Sequence, residues 1–91
     1  MYSKGSKKGT VRFSLKTSKE VKQVKLAGDF NKWKPEAMTR QKDGSFAITL
    51  PLNNGSFEYK FVVDGQWVVD PENNQWAMNP YGTMNSVAQS I

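Results

Sequence analysis

The chain has 91 residues, which suffices for one domain because domains usually take roughly 100 to 200 residues. It contains no cysteine and no histidine, which excludes disulfides and cysteine-based zinc or redox sites and removes the commonest general base and metal ligand. No apolar run approaches the roughly 18 residues of a membrane span, and residues 1–5 lack the apolar stretch of a signal peptide. We therefore expect a cytoplasmic, non-catalytic domain with no cofactor, no metal and no membrane partner.

The positive charge is unevenly distributed along the chain. The net charge of +5 would ordinarily indicate nucleic acid or an acidic membrane surface as the partner. Residues 1–34 carry ten basic and two acidic side chains, whereas residues 35–91 carry three basic and six acidic ones. Residues 1–9 contain mostly serine, glycine and lysine, and we predict a flexible basic tail there, followed by one domain over residues 10–91.

From residue 10 onward apolar and polar side chains alternate, which is typical of half-buried strands. The alternating runs lie around residues 11–15, 21–28, 46–50, 57–63, 68–70 and 86–91. Glycine-containing turn signals separate them at 43–44, 53–55 and 64–65, about ten residues apart. Because no stretch of ten residues has a helical period, the pattern predicts an all-β sandwich or barrel with almost no helix.

The turn at Asp64-Gly65 predicts which side chains share a face. A two-residue loop would pair residues 63–66, 62–67, 61–68, 60–69 and 59–70. Phe57, Tyr59 and Phe61 then face the core. Lys60 and Trp67 become diagonal neighbours on the opposite face, about 7 to 8 Å apart along the backbone.

Each of the three tryptophans has a structural and a binding interpretation. Trp67 would cover the edge of the core or lie exposed on the outer face. The alternation of faces along the predicted hairpin favours exposure. Trp33 follows the second strand, where it would contact a ligand or cap the end of the sandwich, a place that Phe30 could equally fill. We expect Trp76 to anchor a long polar loop.

Indole rings together with amides, hydroxyls and one lysine indicate a particular ligand chemistry. Flat indoles pack against the apolar face of a sugar ring, and amides exchange hydrogen bonds with its hydroxyls. Nucleobases also stack on aromatic rings, but nucleic-acid sites usually add a groove of basic side chains that follows the phosphates.

Five segments of the sequence together resemble one family. They include Gly-Asp-Phe-Asn-Lys-Trp at 28–33 and Phe-Val-Val-Asp-Gly-Gln-Trp at 61–67, and the full set is 24–33, 43–46, 55–67, 70–71 and 79–86. Over about residues 10–91 the chain is similar to the family 48 carbohydrate-binding modules. These are the glycogen-binding domains of AMP-activated protein kinase beta subunits and the N-terminal early-set domains of isoamylases and glycogen branching enzymes. The resemblance implies an immunoglobulin-like β-sandwich of about seven short antiparallel strands that binds α-1,4-linked glucans without catalysis.

The resemblance also implies the binding residues. Tryptophans matching Trp33 and Trp67 stack on glucose rings, side chains matching Lys60 and Asn85 bond the hydroxyls, and the match to Thr83 contributes its backbone or hydroxyl. Tyr81 is a departure, because the kinase subunits carry a glucan-contacting leucine there. We include Tyr81 in the expected site.

Three other functions fit the sequence less well. A scaffolding module with vestigial sugar binding would dock a glucan-processing enzyme or a kinase through the sandwich edge or the basic N-terminal strands. Nucleic-acid binding is disfavoured, because the lysines are scattered over two strands and a tail. An enzyme is disfavoured as well, because Asp43, Asp64 and Asp70 belong to turns or strand ends and no base is available without histidine.

Overall fold

The computed structural model describes residues 1–52 and 55–90. Asn53, Asn54 and Ile91, which contribute to a predicted turn and to the last predicted strand, lie outside the described residues. The strands are β1 (Tyr2–Lys4), β2 (Thr10–Leu15), β3 (Val24–Gly28), β4 (Glu36–Ala37), β5 (Thr39–Arg40), β6 (Phe46–Pro51), β7 (Gly55–Val63), β8 (Gln66–Val68), β9 (Trp76–Met78) and β10 (Met84–Ser90). In this part of the chain a 3₁₀ turn at Asp29–Asn31 is the only helical element, and no helix could span a membrane.

The ten strands of the described residues form two antiparallel sheets. One sheet has the order β1-β2-β6-β5, and the other has the order β4-β3-β7-β10-β9, with β8 paired to β7. The core lies between them, because alternate residues of β2 and β7 point inward. Phe13 and Tyr59 are fully buried and meet edge to face with their ring centroids 4.9 Å apart. The predicted all-β sandwich is confirmed.

The structure has more strands than the alternation predicted. The runs near 11–15, 46–50 and 57–63 correspond to β2, β6 and β7. Four further strands, β1, β4, β5 and β9, have only two or three residues each, too few for an alternating pattern to be visible. The flexible tail predicted for residues 1–9 includes Tyr2–Lys4, which forms β1: Tyr2 pairs with Phe13, and its ring contacts Tyr59.

The predicted hairpin is confirmed close to its turn and wrong beyond it. Residues 63–66, 62–67 and 61–68 pair as expected, and Asp64 and Gly65 both adopt the positive φ that a tight two-residue turn requires. The predicted pairs 60–69 and 59–70 do not form, because β8 ends at Val68. Along the same edge of β7, residues 55–59 pair with β10 instead.

Asp70 lies in a buried polar cluster and not in the predicted strand. Its side chain is almost fully buried and accepts a 2.7 Å hydrogen bond from the Tyr59 hydroxyl. Its backbone N–H donates to the Ser86 hydroxyl, and Asn73 donates to the Tyr59 oxygen at 3.1 Å. These bonds attach the segment after β8 to β7 and β10. Asp70 is therefore a cross-link between elements and more than a turn former.

The other two predicted turn carboxylates differ from each other. Asp43 forms its turn as expected, and hydrogen bonds from the Ser45 hydroxyl and N–H hold the pKa of its carboxyl below the usual value. Asp64 lies in the hairpin turn, but its carboxylate accepts bonds from the N–H groups of Lys22 and Gln23. Asp64 thus joins the hairpin to the segment before β3.

The buried Tyr59 gives a prediction for alkaline pH. Burial, reinforced by Asp70, raises the pKa of its phenol above the ordinary value of 10.0. The folded protein therefore keeps this proton where the unfolded chain has lost it. The free energy of unfolding should therefore fall as pH rises above 10.0. Tyr59 should contribute up to about 1.4 kcal/mol per pH unit to this fall.

Tyr59→Phe should lack this contribution. Urea unfolding at about pH 9 and about pH 11 should give a smaller loss of stability in the variant than in the wild type. Equal losses in the two proteins would contradict the assignment, because the remaining tyrosines and lysines are common to both.

Candidate functional site

A groove of about 640 Å³ lies on the outer face of the sheet that contains β3, β7 and β10. Successive residues of β7 point to opposite faces, so Glu58 and Lys60 point outward while Tyr59 and Phe61 point into the core. The nine residues that line the groove are Asp29, Trp33, Glu58, Lys60, Trp67, Asn79, Pro80, Tyr81 and Asn85.

Trp67 reaches the groove through the β7–β8 hairpin. It pairs with Val62, whose parity on β7 is that of Lys60, so the indole and the ammonium lie on the same face. The side chain of Trp67 is 49% exposed. The interpretation of Trp67 as a cover for the core edge is therefore wrong.

Trp33 reaches the groove from the loop after β3. Lys32 and Trp33 have φ values of 57° and 60°, in the left-handed region that costs a residue other than glycine about 1 kcal/mol or more. The Asn31 amide holds this loop, because its Oδ1 accepts the Gly28 N–H at 2.9 Å. The backbone N–H of Trp33 also donates to the Gly28 carbonyl at 2.9 Å.

Phe30 and Trp33 divide the two roles that the sequence left open. The Phe30 ring packs on Phe13 at 5.4 Å and on Phe57 at 6.3 Å between centroids, and it fills the end of the sandwich. The Trp33 ring lies in the groove, 6.5 Å from the Trp67 ring and tilted by 36° to it. The two indoles are therefore neighbours in the groove, with their planes inclined to each other.

Asn79 organises the turn on the other side of the groove. Its Oδ1 accepts hydrogen bonds from the N–H groups of Tyr81 and Thr83, at 3.0 and 3.1 Å. Its Nδ2 donates to the Thr83 hydroxyl, which also accepts a 3.3 Å bond from the Lys60 ammonium. The Tyr81 ring is left 91% exposed at the groove rim, where it is free to contact a ligand.

Asn85 lies at the bottom of the groove with both ends of its amide engaged. The side chain is only 5% exposed. Its Nδ2 donates to Glu58 Oε1 at 3.0 Å, and its Oδ1 accepts a weaker 3.5 Å bond from Asn79. Glu58 therefore holds the amide in a fixed orientation beneath any ligand.

Five of the six residues expected at the site line this groove. They are Trp33, Lys60, Trp67, Tyr81 and Asn85. Thr83 does not line the groove itself, but its hydroxyl bonds two residues that do.

Four lining residues were missing from the expected site, namely Asp29, Glu58, Asn79 and Pro80. Glu58 has the same parity on β7 as Lys60, so the alternation already contained its signal. Asn79 precedes Pro80 in a segment where asparagine commonly bonds its own backbone two residues on. Asp29 lies in the Gly-Asp-Phe-Asn-Lys-Trp segment at 28–33, but no role could be assigned to it because its contacts depend on the fold.

Trp76 does not lie in the predicted loop but in β9, where it pairs with Ser86. Its indole N–H donates to the Asn73 carbonyl at 2.9 Å, while 55% of the side chain is exposed. Trp76 is not among the groove residues, so it offers a comparison for the other two tryptophans.

The charges in the groove do not favour an anionic ligand. Two carboxylates, Asp29 and Glu58, face one ammonium, Lys60. Among the described residues no group of acidic side chains is arranged to hold a metal ion. The groove combines aromatic faces with neutral amides and hydroxyls, which suits a polyhydroxylated and uncharged ligand.

Three comparisons with known proteins bear on this groove. Residues 11–89 match the family described as the glycogen recognition site of AMP-activated protein kinase. The chain is 41% identical over 68 residues to 5'-AMP-activated protein kinase subunit beta-1 of Sus scrofa, covering 75% of this chain and 54% of that one. It is 44% identical over 50 residues to the chloroplastic protein PTST homolog 2 of Arabidopsis thaliana, covering 54% and 9%.

Two solved structures share the fold. A maltogenic amylase from S. marinus superposes with a TM-score of 0.74 at 23% identity, covering 90% of this chain and 13% of the amylase. A putative alpha amylase from Salmonella typhimurium gives a TM-score of 0.73 at 26% identity, covering 96% and 14%. The chain thus spans about half of the pig relative and a much smaller part of the two amylases.

Gly28 allows a test of how the Trp33 loop is packed. A Cβ at this position would lie 2.6 Å from the Glu58 carbonyl oxygen and 2.8 Å from the Phe30 ring. Because β7 and the core on either side cannot move apart freely, Gly28→Ala should lower the free energy of unfolding by about 1 to 3 kcal/mol. Urea unfolding measures this change, and a variant as stable as the wild type would contradict this close packing.

Proposed function

The chain belongs to the family of glycogen recognition sites of AMP-activated protein kinase, and on that premise we propose that its groove binds α-1,4-linked glucans such as glycogen, starch and maltooligosaccharides. Trp33 and Trp67 would stack on successive glucose rings. Lys60 and Asn85 would hydrogen-bond the hydroxyls, with Tyr81 and Thr83 completing the site.

The observation that carries the proposal is the paired indoles. Their centroids are 6.5 Å apart and their planes are inclined by 36°, beside the polar groups of Lys60, Thr83 and Asn85. A bent aromatic surface fits a curved chain of sugar rings, because each ring then finds its own platform. The tilt thus supports a glucan of the α-1,4 type over a flat, ribbon-like one.

The expected affinity is modest. Covering roughly 80 Å² of each indole at about 25 cal/mol per Å² gives about 2 kcal/mol per tryptophan. Each hydrogen bond adds about 0.5 to 1.5 kcal/mol, since the sugar gives up water to form it. After the cost of association, micromolar to millimolar dissociation constants follow for short oligosaccharides, with tighter apparent binding to polymers that offer many sites.

We propose further that the domain has no catalytic activity and needs no cofactor. No histidine or cysteine is present, and the groove carboxylates Asp29 and Glu58 bond the groups beside them. A glucan-processing enzyme or a kinase would be the protein partner, since the relatives include kinase subunits. A cytoplasmic location belongs to the same proposal.

The first test removes the aromatic platforms one at a time. Trp33→Ala and Trp67→Ala should each abolish the retardation of the protein in native gels that contain glycogen, because about 2 kcal/mol corresponds to roughly a thirtyfold loss of affinity. Trp76→Ala is the matched control, since this exposed indole lies outside the groove. Retardation that persists in both groove variants, or is lost in the control, would refute the site.

The second test uses salt to separate glucan binding from polyanion binding. A neutral sugar releases no counterions, so the dissociation constant for maltoheptaose should change less than about twofold between about 0.05 and 0.5 M NaCl. Binding to an oligonucleotide through the basic N-terminal residues would instead weaken steeply over this range. Tight oligonucleotide binding at low salt, without maltoheptaose binding, would favour the nucleic-acid alternative.

A further inference from the structure

We propose that Asp29 is a positioning residue of the groove, whose carboxylate fixes the Trp33 indole at its angle to Trp67. The proposal rests on the glucan site proposed above, because the importance of that angle for affinity depends on a ligand that uses both rings. The role of Asp29 in setting the angle does not depend on the ligand.

The carboxylate joins two separate elements. Its Oδ1 accepts the Trp33 indole N–H at 3.0 Å, and its Oδ2 accepts the backbone N–H of Glu58 at 2.9 Å. Glu58 belongs to β7, the central strand of the sheet, whereas Trp33 belongs to the loop after β3. Asp29 therefore links the indole to the central strand of the sheet.

Trp33 requires such a restraint because its backbone lies in a costly conformation. Two consecutive residues, Lys32 and Trp33, have positive φ, and such strain persists only where neighbouring contacts maintain it. The backbone bonds of the loop hold the Trp33 Cα, but they do not determine the rotation of the ring. The bond to Asp29 is the hydrogen bond that the Trp33 side chain makes among the described residues, and it restrains the rotation of the indole.

Asp29 and Glu58, the two groove carboxylates, differ in how many of their oxygens accept hydrogen bonds. Glu58 bonds the Asn85 amide through Oε1, and in the described part of the chain Oε2 accepts no hydrogen bond. Both oxygens of Asp29 are engaged within the protein. Each oxygen holds a different element, which is the arrangement expected of a positioning residue.

Asp29→Asn keeps the size of the side chain but provides one acceptor oxygen in place of two. One of the two N–H groups then faces an amide donor, so the indole loses its fixed orientation or its connection to β7. We expect the affinity for maltoheptaose to fall about tenfold. The exciton couplet of the paired indoles in the circular-dichroism spectrum should lose amplitude even without sugar, and Trp67→Phe identifies that couplet in the wild-type spectrum.

Asp43→Asn is the matched control. The Asp43 carboxylate accepts two hydrogen bonds from Ser45, both at Oδ1, and it lies outside the groove. This variant should keep the couplet and the affinity. A double-mutant cycle with Trp33→Phe, which retains an aromatic ring but lacks the indole N–H, measures the coupling directly. Asp29→Asn should reduce affinity less in that background.

The outcomes separate the two proposals. An unchanged couplet in Asp29→Asn overturns the positioning role, including the case in which affinity falls, since that result would indicate direct contact with the sugar. A weakened couplet with reduced affinity supports the positioning role. A weakened couplet in a protein whose wild type binds no maltoheptaose supports the role of Asp29 and refutes the glucan site.

Discussion

The two-residue period of β7 is the constraint on which the rest of the molecule depends. Tyr59 and Phe61 are fully buried in the core, so Glu58 and Lys60 must face the other way and form the floor of the groove. A shift of one residue in register would exchange the two sets and destroy the core and the site together. The groove therefore needs no separate element, because it is the reverse side of the strand that the core requires.

Around this strand, hydrogen bonds determine the loops that complete the groove. The Asn31 amide holds the Trp33 loop, the Asn79 amide holds the turn at Tyr81 and Thr83, and Glu58 orients Asn85. Each of these polar groups acts on a neighbour that would meet the ligand. Such preorganisation matters for a weak ligand, since ordering the side chains on binding would use up much of the modest interaction energy.

The core strands and one hairpin were predictable because they follow short-range rules. Alternation predicted β2, β6 and β7, and the Asp64-Gly65 turn predicted the partner of Trp67 from loop length alone. The short strands β1, β4, β5 and β9 were not predictable, because their backbone pairing depends on neighbours that are distant in sequence. The buried position of Asp70 and the double contact of Asp29 were hidden for the same reason, since each joins elements that only the fold brings together.

The most direct measurement of the site is an NMR titration that follows the backbone amides and the indole N–H groups as maltoheptaose is added. The indole signals of Trp33 and Trp67 and the amides of Lys60 and Asn85 should shift in a saturable manner, while the indole of Trp76 and the amides of β2 stay in place. Cellohexaose at the same concentration should produce no comparable change. Shifts confined to Trp76 or to the basic N-terminal strands, or equal shifts with both sugars, would contradict an α-glucan site in this groove.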